Sequence, residues 1–259
     1  VGVSDNKSME QLVEEKWGLG SYMTVLGFGM GNIKDDKMEF IADRGNGNYA
    51  YIDNIQEARR VLVQEFGGTL FTIAKDVKFQ IEFNPAFVKA YRLVGYENRL
   101  LADQDFNDDT KDAGEMGAGH TVTALYEIIP AGSDETGIPS VDPLRYQGRG
   151  ESRQPDETRP SLKDAPRELC NIKLRYKDPE ALTSKLFSKT VGTDIKKAGE
   201  TTDRFRFSAA VAEFGMILRN SKFRGTATTA DVISLASGAR GGDPDGYRAE
   251  FIRLVQSAK

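Results

Sequence analysis

Residues 77–130 read VKFQIEFNPAFVKAYRLVGYENRLLADQDFNDDTKDAGEMGAGHTVTALYEIIP, and this stretch decides the fold. Val77, Phe79, Ile81 and Phe83 alternate with Lys78, Gln80 and Glu82, a period of two that predicts a strand with its apolar set turned inward. Asn84-Pro85 interrupts the run. Residues 87–96 supply a second apolar-rich segment. Residues 121–129 supply a third, with Val122, Ala124, Tyr126 and Ile128 on one face. Together they predict an antiparallel β unit, and nothing in them has the residue chemistry of an active site.

Downstream, residues 131–167 are dominated by Gly, Pro, Ser, Asp, Glu and Arg. Such a composition buries too little apolar surface to offset its ordering entropy, so a polar insert is expected there. Cys170, Ile172, Leu174 and Tyr176 alternate with Asn171, Lys173 and Arg175, predicting a strand that rejoins the β unit. Residues 184–191 read as another. From Thr202 the period becomes helical: Phe207, Val211, Phe214, Ile217 and Leu218 share a face. Residues 231–236 and 246–258 predict two further helices, the last burying Tyr247, Phe251, Leu254 and Val255.

Upstream, Ser8 to Trp17 carries Met9, Leu12 and Val13 at helical spacing, and Ser8 with Gln11 resembles a capping box. Tyr22 to Gly27 predicts a buried strand, followed by the Gly-rich turn Gly27-Phe28-Gly29-Met30-Gly31. Residues 35–44 predict a helix and 49–52 a strand. A third helix follows, capped by Asp53, with Ile55, Ala58, Val61, Leu62 and Phe66 on its inner face. Helix, strand, helix, strand, helix is α/β logic with parallel strands. Two strands cover their helices poorly, so these residues are expected to be half of a doubly wound layer. The opening Val1-Gly2-Val3-Ser4-Asp5 reads as the continuation of a longer chain.

The chain has 259 residues, 39% hydrophobic and 29% charged, which suits one large or two modest globular domains. Its formal charge of −4 lacks the basic excess that phosphate backbones require, which argues against nucleic acid as the main partner. No apolar run approaches the ~18 residues of a membrane span. Cys170 is the single cysteine, so no intrachain disulfide can form.

Two long segments carry a family resemblance. TVLGFGMGNIKDDKMEFIADRGNGNYAYIDNIQEARRVL resembles the C-terminal half of a von Willebrand factor type A domain. GYENRLLADQDFNDDTKDAGEMGAGHTVTALYEI is similar to the domain of unknown function that trails such modules in bacterial proteins of the YfbK type. The resemblance implies residues 1–68 as the type A half and 69–259 as a trailing β-rich domain, with 202–259 its helical part. It also implies a bacterial cell-envelope protein, periplasmic or surface-exposed. Type A domains hold Mg²⁺ through an Asp-x-Ser-x-Ser loop, a Thr and a further Asp. No Asp-x-Ser-x-Ser occurs in this chain. No metal ligand can therefore be carried over, and Mg²⁺ is expected only for an intact type A domain.

Three local candidates remain. In the acidic run Asp103-Gln104-Asp105-Phe106-Asn107-Asp108-Asp109, the alternate-residue spacing of Asp103, Asp105, Asn107 and Asp109 is that of a calcium loop. Asp108 stands where an EF-hand needs Gly, and Gly114 where it needs Glu, so a solvated connection competes with a Ca²⁺ site. His120 and Cys170 are the lone His and Cys, and a Cys–His hydrolase would need them in contact with a third, orienting group. A buried strand Cys is more often an inert small hydrophobe. Gly27 to Gly31 lacks both the Gly-x-Gly-x-x-Gly spacing and a Walker lysine, which leaves a tight turn.

The expected fold is therefore α+β: a truncated Rossmann-like type A half-domain, an antiparallel β-rich domain and C-terminal helices. The expected function is non-enzymatic, a protein-binding, adhesion-type or scaffolding role with no cofactor in this chain. The alternatives are an Mg²⁺-dependent adhesion module completed by residues outside the chain, or a hydrolase using Cys170 and His120. The uncovered faces of residues 1–68 predict self-association or repacking on the β domain.

Overall fold

The computed structural model describes residues 6–18, 23–29, 34–45, 47–96, 100–134 and 167–258. Most of the polar insert, residues 135–166, lies outside them. The elements run α1 (Asn6–Gly18), β1 (Val25–Phe28), α2 (Asp35–Arg44), β2 (Tyr49–Ile52), α3 (Ile55–Arg59), a π-helical turn (Arg60–Gln64) and α4 (Phe66–Leu70). Then come β3 (Thr72–Phe83), β4 (Val88–Val94), a 3-10 turn (Asp103–Asn107), β5 (Gly114–Gly117), β6 (Leu125–Pro130), β7 (Glu168–Lys177) and β8 (Lys185–Gly192). After a short 3-10 turn the chain ends in α5 (Asp203–Leu218), α6 (Thr229–Gly238) and α7 (Tyr247–Ser257). It is a mixed α/β chain with antiparallel strand pairs.

Two compact units are present. The first comprises Val1–Ile81, Leu101–Val122 and Ile172–Lys189, and the second Glu82–Leu100, Thr123–Asn171 and Thr190–Lys259.

In the first unit β1 and β2 are parallel, with Val25 opposite Tyr49 and Phe28 opposite Ile52. Gly45, Gly47 and Asn48, ahead of β2, press against the entry to β1. Met23 N–H donates to Gly45 O at 3.0 Å and Val25 N–H to Asn48 O at 2.8 Å. A Cβ on Gly47 would lie 1.9 Å from Met23 O, so glycine is needed there for space. Val13 of α1 is buried, as are Ile41 and Ala42 of α2. The third helix departs from its expected burial. It breaks into α3, the π turn and α4, leaving Ile55, Leu62, Val63 and Phe66 exposed. Two strands offer too little surface to cover its apolar face.

The expected β unit is split. Strand β3 does not pair with β4: a four-stranded sheet has the order β5-β3-β7-β8, and β4 pairs with β6 in a separate ribbon. Strand β5 is short and rich in glycine, and periodicity gave no sign of it. Gly117 is pressed so close that a Cβ would fall 1.5 Å from Gly68 O, and Ala118 N–H donates to Phe71 O at 2.8 Å. Asp76 takes a left-handed φ of 49° within the second register shift of β3 against β5, between Ala74 and Val77, a β-bulge. The alternation of β3 is also overturned. Lys78 is its buried residue, at 3% exposure, while Phe79 is 45% exposed. The 103–111 loop covers the Lys78 side, so that face is the enclosed one.

In the second unit Phe83 stacks on Tyr91 and Tyr126 at centroid distances of 4.5 and 5.6 Å. The β4–β6 ribbon runs from Val88 opposite Pro130 to Val94 opposite Leu125. Residues 121–124, expected to extend β6, belong to no strand and are exposed. Asn84 turns the chain: its Oδ1 accepts from Ala86 N–H at 3.0 Å and its Nδ2 donates to Glu168 O at 2.9 Å. The three C-terminal helices share a core of Ala210, Val232, Ala236 and Val255, joined by Phe207, Phe214 and Phe251. Val211, Leu218 and Leu254, expected inside, are exposed, and Ala210 takes the inner position on α5. Small residues here bring the helices close, and the aromatic rings fill the margins.

Candidate functional site

The acidic run lies in the first unit, held by buried Lys78 and by the half-buried Arg175 and Lys177. Lys78, on β3, donates from Nζ to Asp105 O at 3.2 Å and also to Asp108 O. Lys177, at the end of β7, donates to Asp109 O at 2.7 Å and to Asp76 Oδ2 at 2.5 Å. Asp76 Oδ1 in turn accepts from Ala113 N–H at 3.2 Å. Arg175 bridges Ser184 Oγ at 2.8 Å and Asn107 Oδ1 at 3.0 Å, its guanidinium 5.6 Å from the centroid of buried Phe106.

The candidate metal ligands do not converge. Asp103 opens the 3-10 turn, exposed. Asp105 offers its carbonyl to Lys78, and Asn107 its side-chain oxygen to Arg175. The Ser184 hydroxyl first, and then its N–H, which donates to Asp109 Oδ2 at 3.2 Å, hold the Asp109 carboxyl below the usual range. Asp108 Oδ1 accepts from Thr110 N–H and Oγ1, with the same effect on its carboxyl. Among the described residues no group of three or more His, Cys, Asp or Glu is placed to hold an ion. The cations that meet this loop are side-chain ammonium and guanidinium groups.

Glu115 of β5 is the most perturbed acid in the cluster. Burial first, then the nearby Asp76 charge, pushes its carboxyl up to about 7. Its Oε2 is buried without a hydrogen-bond partner, as are Asp109 Oδ1 and Arg175 Nε. The hydrogen bond to Asp76 raises Lys177, which keeps that ammonium charged.

The two residues of the hydrolase alternative belong to different units. His120 is exposed after β5, and Cys170 lies buried in β7 at 8% exposure. Desolvation pushes the Cys170 thiol up, away from the thiolate a nucleophile requires.

Sequence reasoning missed the cations. Lys78, Arg175 and Lys177 all fall on positions that alternation assigns to solvent. Their signal was charge complementarity, a strand register of basic residues facing an acidic loop.

The last feature is a set of exposed apolar side chains in the first unit. Phe28 is 61% exposed, Ile55 86%, Val63 68% and Phe71 66%. On β2, Tyr51 Oη donates to Gly29 O at 2.6 Å, and Tyr49 Oη bonds Asp35, which pushes the Tyr49 phenol up to about 12.

Residues 68–259 match the family model described as "Uncharacterized protein YfbK, C-terminal". The chain belongs to the YfbK C-terminal family. It is 41% identical over 258 residues to the "Uncharacterized protein YfbK" of Escherichia coli (strain K12), covering 100% of this chain. The alignment covers 42% of that relative, so this YfbK-type chain spans about two fifths of its relative's length. Among the described residues no helix is long and apolar enough to cross a membrane.

Proposed function

We propose that this YfbK-type chain is a non-enzymatic protein-binding or scaffolding part of a bacterial cell-envelope protein. In this reading residues 1–68 are the C-terminal half of a von Willebrand factor type A domain. The observation that carries it is the exposure of the apolar side chains Phe28, Ile55, Val63, Phe66 and Phe71 in the unit that holds the two-stranded parallel pair β1–β2. Apolar surface of this kind, unusual for a monomer, marks a place where another protein surface belongs. The parallel pair joined through α2 fits the half-domain, and the resemblance supplies the envelope. The residues present do not supply the type A metal loop, so Mg²⁺ enters only through residues outside this chain.

Light scattering after size exclusion tests the reading, using the chain and an Ile55→Asp/Val63→Asp variant. The chain is expected to self-associate or to bind a partner protein, and the variant to do neither while keeping its fold. A wild-type chain that stays monomeric, and binds envelope proteins no better than the variant, overturns it. Binding by the full-length protein that is lost on chelation and restored by Mg²⁺ would favour the adhesion alternative.

A further inference from the structure

The second unit carries a recess of about 440 Å³ between the end of α6 and the face of α7, lined by Ser237, Arg240, Gly241, Ala249, Ile252 and Arg253. Arg44 pairs with Glu10, Arg60 with Glu57 and Glu65, Arg92 with Glu127, and Arg206 with Asp203, while Arg175 and Arg248 donate to neutral oxygens. Arg240 and Arg253 form no ion pair among the described residues, and none of the residues lining the recess carries a carboxylate.

Two carboxylates and the carbonyls beside the recess are already engaged. A helix C-terminus carries partial negative charge. Here Arg248 Nη1 donates to Ala239 O at 2.7 Å and to Arg240 O at 3.3 Å, covering carbonyls just past the end of α6. Asp243 accepts from Arg248 N–H at 3.1 Å and Ala249 N–H at 2.8 Å, spending its carboxylate on the first turn of α7. Asp203, whose Oδ2 would lie 3.5 Å from a Cβ on Gly241, is paired with Arg206. The recess is lined by the exposed residues Arg240 and Arg253, by Ser237 at the end of α6, and by the half-buried apolar pair Ala249 and Ile252.

We propose that this recess binds a phosphate group. Two planar guanidinium forks can each donate paired hydrogen bonds to a multi-oxygen dianion, and the apolar floor lowers the local dielectric. This proposal does not depend on the role of the exposed apolar side chains of the first unit.

Titrating the ¹⁵N-labelled chain with inorganic phosphate, against chloride at matched ionic strength, tests this. Saturable shifts centred on the amides of Gly241, Ala249 and Arg253 are expected. Arg240→Gln/Arg253→Gln should weaken binding at least tenfold with the melting temperature unchanged, while Arg204→Gln, on α5, should bind as wild type. A parallel titration with glycerol 3-phosphate separates the sources. Tighter binding than inorganic phosphate assigns a phosphomonoester whose organic part lies on Ala249 and Ile252, and equal or weaker binding assigns the free ion. Shifts that spread over the surface without saturating, or a double variant that binds like wild type, overturn the proposal.

Discussion

The Nζ of Lys78 lies 3.2 Å from the carbonyl oxygen of Asp105, in a side chain only 3% exposed. A buried ammonium is tolerated where its donors are matched, and here backbone carbonyls of the acidic loop provide the match. Lys78→Met keeps the stem and removes the donors, leaving two carbonyls short of a partner. The expected loss is about 1–3 kcal/mol of stability. Urea unfolding gives the total, and faster amide exchange over residues 105–111 locates it.

With Asn107 bonded to Arg175 and Asp109 to Ser184, calcium would have to break existing contacts to enter the loop. Millimolar Ca²⁺ is therefore expected to leave the melting temperature of the chain unchanged. A rise that Asp103→Asn or Asp105→Asn abolishes would restore the calcium reading.

Glu115 should make stability depend on pH. Its folded carboxyl is raised to about 7 from an ordinary 4.5, so the folded state favours the protonated form. Its contribution is fully present below about pH 4.5 and is lost as pH rises through 7. Glu115→Gln should match the wild type near pH 4 and exceed it at pH 8, by about 1–2 kcal/mol once solvent screening is allowed for. Equal unfolding midpoints of the two proteins at pH 8 would refute this.

Thr228 Oγ1 accepts from Asp231 N–H at 3.3 Å, and Asp231 Oδ2 accepts from Thr228 N–H at 2.9 Å, closing both ends of a capping box on α6. Thr228→Ala should cost ~1 kcal/mol. The Asp231 carboxyl, held low by the Thr228 hydroxyl, should move back toward its usual range in that variant, which NMR titration would register.

Cys170 should resist thiol reagents in the native chain and react rapidly once unfolded, because burial both hides it and disfavours its thiolate. Fast native labelling would reopen the nucleophile alternative.

Elements with strong local signals were legible in the sequence. Helix α2 and strand β2 fall on residues 35–44 and 49–52 as expected, because Gly45 and Gly47 bound them with signals that act over a few residues. The C-terminal helices follow for the same reason. Their inner faces were partly misjudged, because Ala210 rather than Val211 sets the close approach. Pairing was less legible. Alternation predicts that residues 72–83 form a strand, but not which strand lies beside it, and the bulge at Asp76 leaves no periodic trace. The candidate metal loop illustrates the limit most directly. Its carboxylates were visible, but the lysines that meet it come from 25 or more residues away in sequence.

Strand β8 is the outermost of the four-stranded sheet and is exposed along nearly its whole length. A bare sheet margin invites copies of the same chain to add on end to end, which is how ordered aggregates grow. Lys185, ion-paired with Asp178, and Lys189 place charged side chains along that margin, and charge on an edge strand opposes the addition of another copy.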